Sequence, residues 1–553
     1  MRRRPSLRAF VALWICAAAA TTGAGLAKSP RFFADDPVWE QPDTQDASGM
    51  TSQEVDLTVD LTYNLLTGRT RPGDRAGNVN TIDEVPDSSW FTNRARREPL
   101  TAERVAQGPD TTRGPAAGPW TITASKSDGI TPGFTVTDAD GQRWFIKFDP
   151  RGYRGMSTGT EVTVTKLMWA LGYNVPENHI ARLQRSNLVI GDGASITLAG
   201  GRRRPMRGTD IDAMLAGVDR EADGSFRVVA SKALEGTPVG RIRFAGTRGD
   251  DPNDLVPHED RRELRAYGVY AAWLNHVDAK AINSLDTLVT ANGRAFVRHH
   301  LIDFGSALGS GGVAPADYWG GAQYLVEARD TLKRAATLGL AVPAWRSAPF
   351  YEAPSIGRMP SSHDRFDPDA WKPRVPNRAF LRARADDRFW AARQLAQLTG
   401  PMLQAAVAAG QFDDPASEAF LVEALAARRD VIMRRYLTAI NPVVDPVLSD
   451  ERLTFGNAAV EIDHAQAPQR YVATWFVFDN ASHEATPLAE TAGATSPLAA
   501  PPALPRATGS YVKVRVHSEG TPHSSWQIPV DLYYRRLEGD WRLVGLERQP
   551  APE

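Results

Sequence analysis

The residues best able to do chemistry lie in two short stretches. One is His276-Val277-Asp278-Ala279-Lys280-Ala281-Ile282-Asn283 and the other is Leu301-Ile302-Asp303-Phe304-Gly305. Between them, residues 284–290 and 295–302 flank Asn292-Gly293, the dipeptide of a two-residue hairpin turn. That turn sets the register, placing Asn283 opposite Ile302 and beside Asp303. An amide oxygen and a carboxylate at adjacent strand ends are oxygen ligands of the kind Mg²⁺ requires. Asp278, five residues before Asn283, then stands at the mouth of the same site, where a hydroxyl gives up its proton.

Three further pieces belong near that site, and each has a plainer reading. Lys147 lies in the strand pattern 142–148, whose alternation puts Trp144, Ile146 and Phe148 on one face and Phe145 with Lys147 on the other. Taken alone, it reads as a solvated strand lysine. Glu161 shares the apolar face of a helix expected over 159–171, with Val164, Leu167, Met168 and Leu171. A carboxylate turned toward a core needs a cation. Thr158-x-x-Glu161 also reads as a capping box, which the helix pattern by itself favours. Upstream, Lys126-Ser127-Asp128-Gly129-Ile130-Thr131-Pro132-Gly133 forms a loop whose amides can cover phosphates, although it fits neither GxGxxG nor the Walker pattern.

Together these residues resemble the protein-kinase-like superfamily. The 276–283 stretch is similar to the H-R-D-x-K-x-x-N catalytic loop and 301–305 to the D-F-G segment, behind a strand Lys and a helix Glu in the kinase order. Residues 126–180 are also similar to the N-terminal lobe of HipA-type kinases. They show a short Gly/Pro loop, a hairpin ending in Phe145-Ile146-Lys147-Phe148, and a Glu-led helix closing in Leu171-Gly172. The resemblance implies that Lys147 holds the α/β-phosphates of ATP and pairs with Glu161, under a loop containing Lys126, Ser127, Gly129 and Gly133. It implies that Asp278 is the catalytic base, that Lys280 neutralises the γ-phosphate, and that Asn283 and Asp303 bind Mg²⁺. The strand at 226–234 would lead to the hinge that takes the adenine. Three departures stand out. Val277 replaces the Arg that reads an activation-loop phosphate, no A-P-E follows the D-F-G segment, and the phosphate loop lacks the usual glycine pattern.

Two other classes compete. Gly155-Met156-Ser157-Thr158-Gly159 matches G-x-S-x-G, but a serine-hydrolase elbow puts Ser straight after a strand, and here residues 149–154 intervene. A non-catalytic kinase-like binding protein of the cell envelope is the other, because exported compartments commonly lack ATP.

Periodicity supplies the positioning elements. The expected fold class is α+β, a bilobal protein-kinase-like domain with an N-terminal extension over 28–112 and a C-terminal all-β, sandwich-like domain over 441–553. The kinase-like domain spans 113–440, divided into a strand-rich lobe to about 235 and a helical lobe from about 236. A helix at 261–276 buries Leu264, Tyr267, Ala271 and Leu274, and Ala/Arg/Leu-rich helices follow over 387–441. Period-two patterns at 470–478, 511–516, 530–534 and 541–546 predict the β-domain, with 485–509 as a mobile loop. In the extension, the oxygen-rich segment 78–87 reads as polar turns more readily than as a cation loop. The acidic run 250–254 is expected to cap the next helix.

The totals bound the partners. With 64 Lys+Arg against 65 Asp+Glu in 553 residues, the chain is no general nucleic-acid binder. Arg2, Arg3, Arg4 and Arg8 precede an apolar run from Ala9 to Ala20, the form of a secretory signal peptide over 1–27, with a retained anchor as the minor reading. That run is too short for a confident membrane span. The single Cys, Cys16, belongs to this leader, so the mature chain is thiol-free and mildly acidic, suited to a periplasmic or extracellular location. The expected partners are a nucleotide with Mg²⁺ and an acceptor that is protein, lipid, glycan or small molecule, with no membrane span once the leader is cut.

Overall fold

Large apolar residues at every second position build the first layer, and a long polar strap ties that layer to the rest. The computed structural model describes residues 29–548 apart from 68–72, 126–130, 198–201, 339 and 341. The leader with Cys16, and Lys126, Ser127 and Gly129, lie outside the described residues. The chain is a mixed α/β structure with several separate sheets.

The strap, from residue 29 to about 112, carries α1 (Leu57–Thr67), α2 (Arg94–Arg97) and α3 (Ala102–Gln107). Its anchors are aromatic. Phe32 packs on Phe478 and Tyr533 near the C-terminus, and Trp90 stacks on His299 with ring centroids 3.4 Å apart. Its polar residues act as pins. Asn78 Oδ1 accepts from the Arg262 amide at 2.9 Å, Asn80 Oδ1 accepts from the Ile82 and Glu84 amides, and Asp83 meets Arg262 at 3.0 Å. These oxygens are committed to amide and guanidinium donors, so a composition shared with cation loops serves here for docking.

Seven strands follow: β1 (Trp120–Ser125), β2 (Gly133–Thr137), β3 (Arg143–Phe148), β4 (Asn178–Leu183), β5 (Leu188–Thr197), β6 (Arg203–Pro205) and β7 (Phe226–Lys232). They pair in the order β4-β7-β3-β2-β1-β5-β6. Two helices accompany them, α4 (Met156–Ala170) and α5 (Gly208–Ala216). Trp144, Ile146 and Phe148 share a core with Ile211 and Leu215 of α5, which leaves Lys147 on the face toward α4. Gly172 ends α4 at a φ of 101°, and a Cβ there would lie 2.1 Å from the Phe91 ring of the strap.

The helical part holds the principal core, built from α4, α6 (Arg262–Leu274), α9 (Ala385–Ala396), α10 (Gly400–Ala409) and α11 (Pro415–Tyr436). Ahead of α6 comes β8 (Thr237–Gly240), and between α6 and α9 come β9 (Ser284–Ala291) and β10 (Arg294–Leu301); the three form a sheet in the order β10-β9-β8. The short elements α7 (Ala328–Ala336), β11 (Phe350–Ala353), β12 (Gly357–Pro360) and α8 (Arg378–Arg382) complete the region. The acidic run before α6 does not cap it. Asp254 instead meets His258 Nε2 at 2.7 Å and Arg261 at 3.0 Å, because burial of those two side chains makes them the stronger claimants.

The last region comprises β13 (Val443–Leu448), β14 (Arg452–Asn457), β15 (Arg470–Phe478), β16 (Ala485–Gly493), β17 (Leu498–Ala499), β18 (Tyr511–Glu519), β19 (Val530–Arg536) and β20 (Trp541–Arg548). Sheets β13-β14-β17 and β16-β15-β18-β19-β20 share a core that includes Leu453, Trp475, Val514 and Leu532. The mobile loop expected over 485–509 is corrected here, since most of its first half is the edge strand β16. Pro487 escaped strand reading because it lacks an N–H, yet it sits beside a register shift on a sheet edge, where that loss is tolerated.

Candidate active site

Lys147 is the centre of the arrangement. It leaves β3 with 11 % of its side chain exposed, and its Nζ lies 3.0 Å from Glu161 Oε2 and 2.8 Å from Asp303 Oδ1. Burial opposes the ammonium charge, but the Asp303 and Glu161 carboxylates outweigh it and hold the pKa above the ordinary lysine value. The solvated strand lysine is therefore overturned. Opposite Lys147, Gly133 lets β2 approach closely, since a Cβ there would stand 2.1 Å from the Ile146 carbonyl oxygen.

Glu161 is 1 % exposed, and its Oε1 accepts from the Phe304 amide at 3.0 Å. It does not cap its helix. The start of α4 is held by Asp149, whose Oδ1 accepts from the Ser157 and Thr158 amides at 2.9 Å. Asp149 Oδ2 accepts from the Gly155 amide at 2.8 Å and the Thr158 hydroxyl at 2.7 Å. Thr158 thus donates to a carboxylate instead of capping, and Glu161 is released for Lys147. Burial pushes the Asp149 carboxyl up, with Arg227 Nε 3.6 Å away as its counter-charge. Asp149 was missed in sequence because it acts across the loop 150–154 on a helix that begins seven residues later. A carboxylate between a strand and a glycine-rich turn was the available signal.

The hairpin turn gives the register its spacing predicts. Leu301 pairs with Ser284, and the Ile302 amide donates to the Asn283 carbonyl at 3.0 Å. Asn283 Nδ2 donates to the Asp278 carbonyl at 2.8 Å and to Asp278 Oδ2 at 3.1 Å. This spends the amide nitrogen and leaves Asn283 Oδ1 with no hydrogen-bond donor among the described residues. Lys280 Nζ lies 2.7 Å from Asp278 Oδ1.

Asp303 closes the set. Its φ of 60° lies in the left-handed region, uncommon for a residue with a side chain and often held at functional sites. Its side chain is 37 % exposed and meets the buried Lys147 from the solvent edge. Phe304 is fully buried against the His276 ring, with centroids 5.7 Å apart. His276 is itself buried, which lowers its pKa, and its Nδ1 lies 3.2 Å from the Ser306 carbonyl. At Gly305 a Cβ would stand 2.9 Å from Ser157 Oγ and 3.2 Å from Glu161 Oε2, so glycine makes room for the Glu161 carboxylate.

The donor set fits a hard cation. An unclaimed amide oxygen on Asn283 and the part-exposed carboxylate of Asp303, at neighbouring strand ends, are the ligand types Mg²⁺ takes. Ser157, by contrast, is 2 % exposed inside the first turn of α4, not on an open strand-to-helix elbow. A cavity of about 970 Å³ lies elsewhere, bounded by the strap, by residues 232–235 at the end of β7 and just beyond it, and by β10.

No protein-family model matches the chain, and no curated protein matches it in sequence. In structure it is similar to the Helicobacter pylori proinflammatory kinase CtkA at 11 % identity and a TM-score of 0.28, over 57 % of this chain and 98 % of that one. It is also similar to the Golgi casein kinase at 10 % identity and a TM-score of 0.27, over 73 % of this chain and 97 % of that one. At those scores the likeness decides nothing about chemistry, which rests on the geometry of the site.

Proposed function

We propose that the chain is an exported kinase-like phosphotransferase that uses Mg-ATP. The observation that carries this reading is Lys147 held between Glu161 and Asp303, with Asp278 and Asn283 bonded to each other at the adjoining strand end. In this reading the Lys147 ammonium, kept charged by two carboxylates, binds the α/β-phosphates, and Glu161 fixes its direction. Asn283 and Asp303 hold Mg²⁺, which when bound neutralises phosphate charge. Asp278 takes the proton from the acceptor hydroxyl as its oxygen bonds to the γ-phosphorus and ADP departs. Lys280, already beside Asp278, turns to the γ-phosphate. The amino-terminal pattern similar to HipA-type kinases supports the same assignment, and the leader supports a periplasmic or extracellular location. The acceptor is a hydroxyl-bearing protein, lipid, glycan or small molecule.

Thermal shift and ADP release by the mature chain test this reading. Mg-ATP is expected to raise Tm and to be turned over, and Asp303→Ala is expected to lose both responses. No Tm shift in the wild type defeats the nucleotide assignment. A shift with no turnover, unchanged by Asp278→Ala, makes the chain a binding protein. An esterase activity that Ser157→Ala abolishes and Asp278→Ala spares would return the hydrolase.

A further inference from the structure

Exposed aliphatic side chains are concentrated in one place. Leu325, Val326, Leu332, Leu338, Leu340 and Val342 are 54 % to 93 % exposed, all within a single excursion of the chain. Single exposed leucines are ordinary, whereas a run of them marks a surface meant to be covered. The excursion is not a loose end. Trp345 Nε1 donates to Gln323 Oε1 at 3.2 Å, the Leu325 amide donates to the Arg374 carbonyl at 2.8 Å, and Lys372 pairs with Glu327. Its two ends are thus fixed to each other and to the segment at 372–374, while Leu332, Leu338, Leu340 and Val342 between them face outward.

Charge says what covers it. Lys333 and Arg346 are exposed and Arg334 half-exposed among these aliphatics, in a chain that is mildly acidic once its leader is set aside. The core of a protein interface is depleted of lysine and enriched in aromatic residues. Aliphatics interleaved with cations are the composition of a segment lying in the headgroup region of an anionic bilayer. Among the described residues no helix is long and apolar enough to cross a membrane.

We propose that the described side chains of this excursion form a peripheral membrane-docking element. Leu325, Val326, Leu332, Leu338, Leu340 and Val342 enter the surface of an anionic bilayer, and Lys333, Arg334 and Arg346 meet the lipid phosphates. This goes beyond the phosphotransfer reading and does not depend on it.

Vesicle pelleting tests it with the full mature chain. The vesicles are phosphatidylcholine alone, or phosphatidylcholine with about 30 mol % phosphatidylglycerol. Binding to the anionic vesicles is expected to exceed binding to the neutral ones by about tenfold and to weaken with added salt. Leu338→Asp/Leu340→Asp is expected to lower that binding about tenfold with an unchanged melting curve, since both side chains already face solvent. Lys333→Gln/Arg346→Gln is expected to remove the preference for anionic lipid. Equal pelleting of wild type and Leu338→Asp/Leu340→Asp overturns the proposal, as does failure of the wild type to pellet with either vesicle. A wild-type dimer that the same aspartate pair dissolves would assign the face to a second copy instead.

Discussion

Arg262 and Arg265 meet Asp387 where none of the three has an exposed side-chain atom, whereas Lys147 meets Glu161 and Asp303 at the edge of solvent. The ingredients are alike. In the first cluster Arg262 Nε, Nη1 and Nη2 go to Asp387 at 3.0 Å, Asp83 at 3.0 Å and Asp386 at 3.1 Å, so each end of the guanidinium is taken. Burial opposes that charge, and the surrounding carboxylates hold the Arg262 pKa above its ordinary value. In the second cluster Asp303 keeps 37 % of its side chain exposed beside the Lys147 ammonium, and its neighbour Asn283 keeps an amide oxygen in reserve. A closed set of ions fixes the strap and α9 to α6. A set left partly open has capacity for a ligand.

The sharpest way to break this contrast is Asp387→Ala. It removes the one carboxylate shared by two buried guanidiniums and is expected to cost about 3–5 kcal/mol, read as a large fall in Tm. Asp303→Ala is expected to lower phosphotransfer by roughly 10²–10³-fold while Tm moves by no more than about 1 kcal/mol equivalent. If it destabilises the fold as Asp387→Ala does, the open cluster is structural too.

A third buried ionisable group sharpens the comparison, because burial dominates it. His300 is 5 % exposed, and burial, with Arg298 and His299 adding to it, lowers its pKa to about 4. Its unfolded value is about 6.5, so on acidification the unfolded chain takes the proton first. The neutral fold's advantage is complete above about pH 6.5 and is lost as pH falls toward 4, a change of roughly 3 kcal/mol. Urea melts across that window are expected to show a slope that His300→Gln flattens. The smallest effect is expected from Asp149→Asn, which keeps one acceptor oxygen and loses about 1–2 kcal/mol. Its activity should fall mainly through the position of Glu161, appearing in KM for ATP before kcat.

The parts of this contrast that are local were readable in the sequence. Asn292-Gly293 specifies its hairpin within a few residues, so the register that sets Asn283 beside the start of the Asp303 segment follows from turn chemistry. Alternation likewise located β3, β15, β18, β19 and β20. What was not readable depends on partners far away in the chain. Thr158-x-x-Glu161 has the letters of a capping box, and only the arrival of Lys147 and Asp149 decides otherwise. The strap's anchors and the edge strand β16 were hidden for the same reason, because aromatic docking and edge pairing leave no mark on local periodicity.

Phe32 lies near the start of the described chain, but its seat is made by Phe478, Asn480 and Tyr533, with its amide donating to Asn480 Oδ1 at 2.9 Å. A ribosome delivers Phe32 first and its seat last. The Phe32 end of the strap must therefore wait until almost the whole protein has emerged before it can settle. An amino-terminal fragment stopped short of β15 has nowhere to seat Phe32, although Trp90 and Asn78 still find His299 and Arg262.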